Sequence, residues 1–373
     1  IYGLSSLQEV VRFLNGTQNI EPIKVDTTAE FHMHAFATDL DFADVRGQEN
    51  VRRAMEVAAA GGHNMLMIGP PGAGKSMMAK RLPTILPPLT MEEALETTKI
   101  YSVAGMMAHR KEENGMASAL IVQRPFRSPH HTITDVALVG GGTNPRPGEI
   151  SLAHNGVLFL DELPEYKRSA LEVMRQPLED RHICITRAKM QVDYPAGFML
   201  IAAMNPCPCG HYGENNPAHS CTCTPAQIHR YMSRISGPLL DRIDIQCDIQ
   251  PVPYAMLKNT NPSESSATIR ERVIKARATQ QLRFAEYNLT AKSPIHCNAQ
   301  MPPKLVRKYC ILDAQSDKLL AYSMDKLGLS ARAYDRILKV ARTIADLADV
   351  DNIGASHLME AISYRNLDRN NWI

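Results

Sequence analysis

A glycine-rich loop that ends in Lys-Ser carries the clearest chemical signal in this sequence. It reads Gly69-Pro-Pro-Gly-Ala-Gly-Lys-Ser76 and follows an apolar run, Met65–Ile68, that is typical of a buried strand. The inward-facing N–H groups of such a loop cradle nucleotide phosphates, while the lysine adds positive charge and the serine a Mg²⁺ ligand. The residues predicted to bind ATP and Mg²⁺ are therefore Gly69, Pro70, Pro71, Gly72, Ala73, Gly74, Lys75 and Ser76.

Polar residues also end two later apolar runs. Asp161 and Glu162 follow residues 157–160, and Asn205 follows residues 198–204. Downstream of a phosphate-binding loop, the first acid is expected to hold Mg²⁺ and the second to deprotonate the attacking water. Asn205 could hydrogen-bond that water or the γ-phosphate, the role called sensor 1. The alternative for Asn205 is a simple strand-end cap.

Two arginines are candidates for contacts with the γ-phosphate. Arg242 lies between Asp241 and Asp244 and could reach the nucleotide of a neighbouring subunit, although a local salt bridge would explain it equally. Arg332 lies in the first turn of a predicted helix and could point back to the nucleotide as sensor 2; the alternative is a solvated charge. Because the first arginine must come from a neighbour, activity is expected to require a homo-oligomeric ring.

Four of the eight cysteines are grouped around one polar loop: Cys207, Cys209, Cys221 and Cys223. Four thiolates can close a tetrahedral structural zinc site and order a loop that has no core of its own. Reduced structural cysteines and disulfides are the alternatives, and His211 or His219 could replace one cysteine.

Apolar runs that alternate with helical patterns predict an α/β core with a parallel sheet, followed by a small all-helical domain. We expect a linker or arm over 1–40, a nucleotide-binding core over 41–255 and the helical domain over 256–373. Helical periodicity is present in five segments, 48–60, 263–287, 303–327, 330–347 and 355–365. A further helix is predicted over 169–178, and a β-hairpin over 181–192.

Composition is that of an ordinary globular protein, with 44% hydrophobic and 21% charged residues in 373. A net charge of +2 means that nucleic-acid binding would need local basic patches. The sequence lacks an apolar run of the roughly 20 residues that cross a membrane and lacks a signal-peptide pattern, so a cytoplasmic location is expected. It begins at Ile1 without methionine, which suggests a piece of a longer chain.

The order of these motifs resembles that of AAA+ ATPases. Four further stretches, 124–132, 140–149, 205–210 and 236–244, closely resemble the magnesium-chelatase-like YifB/ComM family of bacterial AAA+ proteins. This resemblance implies a hexameric ATPase with a helical lid and, for ComM-type members, a DNA branch-migration helicase active in natural transformation. Members usually carry an N-terminal Lon-like domain, which this sequence lacks.

The same resemblance implies a helix-2 insert at 124–150 and a pre-sensor-1 hairpin at 181–195, both projecting into a central pore. Arg146, Arg187 and Lys189 are then candidates for contacts with DNA phosphates, or else solvated turn residues. Adjacent residues on a strand face opposite ways, so a structural role is predicted for His130 and His131. The rival functions are a chelatase-type remodelling ATPase and a nucleotide-switched DNA-binding module.

Overall fold

The computed structural model describes residues 2–22, 36, 38–107, 120–142, 145–187, 190–214, 220–253, 256, 263–291 and 293–365. The chain divides into two compact units, 1–37 and 38–373. In the first unit, helix α1 (Leu7–Leu14) begins after Ser6, whose hydroxyl accepts a hydrogen bond from the Glu9 N–H at 3.3 Å.

The second unit is built on a five-stranded parallel sheet in the order β2-β5-β8-β1-β9. Its strands are β1 (Met65–Ile68), β2 (Phe126–Arg127), β5 (Val157–Leu160), β8 (Met199–Met204) and β9 (Ile245–Asp248). Alternate residues of the inner strands enter two separate apolar clusters, with Met65 and Met67 in one and Leu66 and Ile68 in the other. Both faces of the sheet are thus covered, which explains why these strands read as continuous apolar runs.

Helices connect and flank these strands. In chain order they are α2 (Glu49–Gly61), α3 (Lys75–Arg81), α4 (Met91–Val103), α5 (Asp135–Val139), α6 (Glu149–Leu152), α7 (Arg168–Val173), α8 (Arg175–Asp180), α9 (Pro225–Met232), α10 (Gly237–Leu240), α11 (Ser266–Asn288), α12 (Pro303–Tyr309), α13 (Ala314–Leu327), α14 (Ala331–Leu347) and α15 (Ala355–Ser363). The α/β core and the helical C-terminal region predicted from the sequence are confirmed.

Two of the helices predicted from the sequence are interrupted. The pattern over 169–178 divides between α7 and α8, where Pro177 lacks an N–H and its ring would clash with the carbonyl of residue 173 in a continuous helix. The pattern over 303–327 divides between α12 and α13, because Leu312 leaves the helix to form a parallel bridge with Ile353. Asp313 then caps α13 through a hydrogen bond from the Ser316 N–H at 2.7 Å.

Two small antiparallel hairpins stand outside the main sheet. One pairs β3 (Gly140–Gly141) with β4 (Arg146–Pro147), and the other pairs β6 (His182–Arg187) with β7 (Met190–Pro195). The Tyr194 hydroxyl donates to the Pro145 carbonyl at 2.9 Å, so the two hairpins are in contact.

The helical region is joined to the core through buried polar contacts. Asp244, which precedes β9 and is 1% exposed, lies 2.9 Å from His63 Nδ1 and 2.7 Å from Arg336 of α14. His63 Nε2 in turn lies 2.8 Å from the hydroxyl of Thr343, also on α14. Burial would raise the pKa of Asp244, but Arg336 and His63 hold it well below its ordinary value. This carboxylate therefore stays charged and fixes α14 beside the sheet.

Candidate nucleotide site

The glycine-rich loop follows β1 at the carboxyl edge of the sheet, and Lys75 lies folded back across it. The Lys75 ammonium donates to the carbonyls of Gly69 at 2.6 Å and Pro70 at 2.9 Å, and to Asn205 Oδ1 at 3.0 Å. Burial lowers the pKa of Lys75, whereas the charges of Asp161 and Glu162 oppose that change. The Lys75 ammonium can replace these neutral acceptors with phosphate oxygens, to which it would donate stronger, charge-assisted hydrogen bonds.

Three glycines give the loop its shape. At Gly69 a Cβ atom would lie 2.3 Å from the carbonyl oxygen of Ile249, so the close packing of the loop on β9 excludes any side chain. Gly72 and Gly74 have φ of 79° and 88°, in the left-handed region that other residues rarely adopt. Helix α3 begins at Lys75, immediately after Gly74.

The predicted magnesium ligands lie together. The Ser76 hydroxyl donates to Asp161 Oδ2 at 2.5 Å, which joins the end of the loop to the end of β5. A hydroxyl and a carboxylate are oxygen ligands of the kind that Mg²⁺ prefers, so this pair fits the ion. Glu162 follows with φ of 52°, an uncommon conformation for a residue with a side chain, and its carboxyl group is 55% exposed.

Glu162 has a partner that no sequence pattern indicates. His131 Nδ1 lies 3.0 Å from Glu162 Oε2. His130 and His131 lie in a turn after β2, with ring centroids 4.1 Å apart, and not on opposite faces of a strand. The expectation that the two histidines lie on one strand and face opposite ways is therefore wrong. The structural role predicted for them stays a prediction, and His131 contacts the candidate base. Only the pairing of β2 with β5 brings the two residues together, and no local signal in the sequence reveals that pairing.

Arg242 and Arg332 lie at the other edge of the sheet. Asn64, which precedes β1, donates from Nδ2 to the Arg242 carbonyl at 3.0 Å, whereas the glycine-rich loop follows β1. The Arg242 side chain pairs with Glu179, and Arg332 Nη1 lies 3.1 Å from Asp241 Oδ2. Four residues of strand separate the two edges by about 13 Å. Arg332 is therefore paired with Asp241 at this edge, and its role as sensor 2 stays a prediction.

The remaining candidates lie in two other places. The four cysteine sulfurs that follow Asn205 lie within 4.8 Å of one another. Arg146 is exposed on β4, whereas Lys189 and the side chain of Arg187 lie outside the described residues.

Among the described helices, none has both the length and the apolar character needed to cross a membrane.

A parallel sheet in this strand order, with a glycine-rich loop, an Asp-Glu pair and a polar amide at one edge, defines the AAA+ class of P-loop proteins. Residues 41–257 match the family model described as magnesium chelatase, subunit ChlI, and residues 263–365 match the model of its C-terminal part. The chain belongs to this family.

Three curated relatives are similar to nearly the whole chain. The uncharacterized protein YifB of Salmonella typhimurium and that of Escherichia coli are each 46% identical over 365 residues, which cover 97% of this chain and 67% of the relative. The competence protein ComM of Haemophilus influenzae is 44% identical over 371 residues, or 99% of this chain and 68% of its own.

Proposed function

We propose that this chain is an ATP-hydrolysing motor that acts on DNA as a cytoplasmic homo-oligomeric ring, a hexamer by analogy with its class. The observation that carries the proposal is the pair of contacts at the carboxyl edge of the sheet, Lys75 with Asn205 and Ser76 with Asp161. These contacts bring the groups for phosphate binding, metal binding and water positioning into one site, with Glu162 beside it.

The proposed mechanism assigns one task to each of these side chains. Lys75 exchanges its carbonyl partners for phosphate oxygens, while Ser76 and Asp161 hold the metal. When bound, Mg²⁺ neutralises charge on the β- and γ-phosphate oxygens. Glu162 accepts the proton of the attacking water, and Asn205, released from Lys75, orients that water.

Two arginines complete this proposed site from a neighbouring subunit. The positions of Arg242 and Arg332, at the edge of the sheet opposite the glycine-rich loop of their own chain, support this proposal. Both line one cavity of about 1140 Å³ at that edge. In a head-to-tail ring the amino edge of one subunit can face the carboxyl edge of the next. Arg242 would then leave Glu179 and bind the γ-phosphate of the nucleotide on the neighbouring subunit. Arg332 would contact the same neighbouring nucleotide.

DNA is the proposed substrate because of the two hairpins and the relative named as a competence protein. The exposed Arg146 lies on a hairpin that contacts the second hairpin through Tyr194 and Pro145. We propose that the two hairpins form one surface on which cations can meet DNA phosphates without reading sequence. We propose branch migration of the ComM type as the particular activity, with Arg187 and Lys189 as further contacts.

A subunit-mixing experiment tests the ring mechanism. Glu162→Gln and Arg242→Ala proteins are each expected to lack turnover. Mixed in equal amounts, they should recover about a quarter of wild-type ATP hydrolysis, because half of the sites keep Glu162 and half of their neighbours supply Arg242. A mixture as inactive as its components, in a sample shown by light scattering to form mixed rings, would refute catalysis in trans.

Turnover with and without DNA tests the substrate. Single-stranded and forked DNA should stimulate ATP hydrolysis at low salt, and the stimulation should fall as salt rises. An Arg146→Ala ring should keep its DNA-free rate and lose part of the stimulation. A rate of ATP hydrolysis that does not change with DNA at any salt concentration would instead favour a chelatase-type remodelling role.

A further inference from the structure

The segment after Asn205 carries a cluster of thiols that the proposed ATPase mechanism does not use. Sγ to Sγ distances are 3.3 Å for Cys207 and Cys209, 3.7 Å for Cys207 and Cys221, and 3.6 Å for Cys209 and Cys221. Cys223 completes a group in which all four sulfurs lie within 4.8 Å of one another. Four sulfurs at about 2.3 Å from a tetrahedral ion would be about 3.8 Å apart, so the cluster has the dimensions of a zinc site.

The chemistry of the donors also selects the ion. Four sulfur ligands suit a soft or borderline ion such as Zn²⁺, and they do not suit Mg²⁺ or Ca²⁺, which prefer oxygen. The backbone N–H groups of His211 and Thr222 hydrogen-bond to Cys209, as is expected where a thiolate needs stabilising. His211 Nδ1 lies 2.7 Å from Glu214, so it is not one of the clustered donors; His219 lies outside the described residues.

The cysteines tie down a segment that has little core of its own. Pro208, Tyr212 and Gly213 are exposed, whereas Cys207 is buried at the end that leaves β8. Ordering such a loop costs backbone conformational entropy, which a bound metal can offset. Each thiol that binds gives its proton to solvent, so binding is favoured by rising pH.

The same segment contacts the nucleotide site at two points. Gly210 packs so closely on the glycine-rich loop that a Cβ atom there would lie 2.6 Å from Pro71 Cδ. Beyond Cys223, helix α9 begins at a capping box made by Thr224 and brings Tyr231 back to a hydrogen bond with the backbone of Asn205. The segment that carries the cysteines is therefore attached to Asn205 at one end and packs on the glycine-rich loop at Gly210.

We propose that Cys207, Cys209, Cys221 and Cys223 bind one structural zinc ion, which fixes the segment after Asn205 against Pro71 of the phosphate-binding loop. This site goes beyond the proposed ATPase activity, and its occupancy is measurable without ATP or DNA.

Metal analysis of the full chain tests the zinc site. Protein produced in zinc-sufficient medium and desalted should contain about one zinc per chain. The Cys221→Ser, Cys223→Ser double variant should lose it, and Cys184→Ser should retain it, because Cys184 lies on β6 outside the cluster. As a test that does not depend on the folding of the double variant, chelator-stripped wild-type protein is titrated with Co²⁺. Tetrahedral ligation of Co²⁺ by thiolates produces intense absorption bands in the visible and near-ultraviolet.

Two results would overturn the site. One is wild-type protein that holds neither zinc nor thiolate-bound cobalt while all its thiols react with a thiol reagent. The other is a disulfide among these four cysteines, detected by mass spectrometry of protein isolated without reductant.

The coupling to the nucleotide loop has its own test. Removal of zinc should weaken the binding of a fluorescent ATP analogue several-fold, and addition of zinc should restore it. The Gly210→Ala variant should retain the zinc ion and still bind the ATP analogue more weakly, because the added methyl group presses on Pro71. Equal nucleotide affinity with and without zinc would refute the coupling.

Discussion

Replacement of His131 by alanine is expected to lower kcat for ATP hydrolysis about fivefold with little change in KM. His131 Nδ1 lies 3.0 Å from Glu162 Oε2, and the two side chains are 28% and 55% exposed. A hydrogen bond to a charged group contributes about 1.5–3 kcal/mol, which solvent around this exposed carboxylate reduces to about 1 kcal/mol. If that energy positions the base in the transition state, its loss corresponds to about a fivefold fall in rate.

The assay is steady-state phosphate release over a range of ATP concentrations, with His130→Ala as the matched control. The His130 ring contacts the His131 ring at a tilt of 34°, but its Nδ1 lies 2.9 Å from the Thr132 hydroxyl and not beside Glu162. His131→Gln, which can still donate a hydrogen bond, should recover part of kcat. Equal effects of the two alanine variants would refute the reasoning, and so would a rise in kcat, which would mean that His131 restrains Glu162.

Three other predictions concern the loop, the buried ion pair and the hairpin. Gly69→Ala should lower the free energy of unfolding by about 1–3 kcal/mol and abolish nucleotide binding, because the methyl group would lie 2.3 Å from the Ile249 carbonyl; a variant that binds ATP normally would contradict this. Asp244→Asn should lower the free energy of unfolding, measured in urea, by about 3–5 kcal/mol, because it breaks the buried pair with Arg336. Lys275→Ala, which breaks the exposed pair with Asp349, should lower it by less than about 0.5 kcal/mol. Similar losses for the two variants would contradict the argument from burial. Arg146→Ala should reduce the slope of log affinity for single-stranded DNA against log salt by about 0.7; an unchanged slope would remove this residue from the interface.

The sequence was sufficient for features that depend on neighbouring residues. The loop from Gly69 to Ser76 and the Asp161-Glu162 pair are recognisable because phosphate and metal binding need particular residue types at fixed local spacing. The β6–β7 hairpin is likewise set by local hydrogen bonding and by alternation. The sequence pattern did not predict strand β9, because its residues Ile-Gln-Cys-Asp are too few and too polar to be recognised as a buried strand.

Only the tertiary structure decided which distant residues meet. The pairing of β2 with β5 places His131 against Glu162, and the direction of β1 separates Arg332 from the loop that follows this strand. The four sulfurs converge although Cys221 follows Cys209 by 12 positions in the sequence. Strand order and strand direction result from burying both faces of one sheet, a property of the whole chain that no short window contains. Local pattern therefore determined the identity of the groups, and packing alone determined their partners.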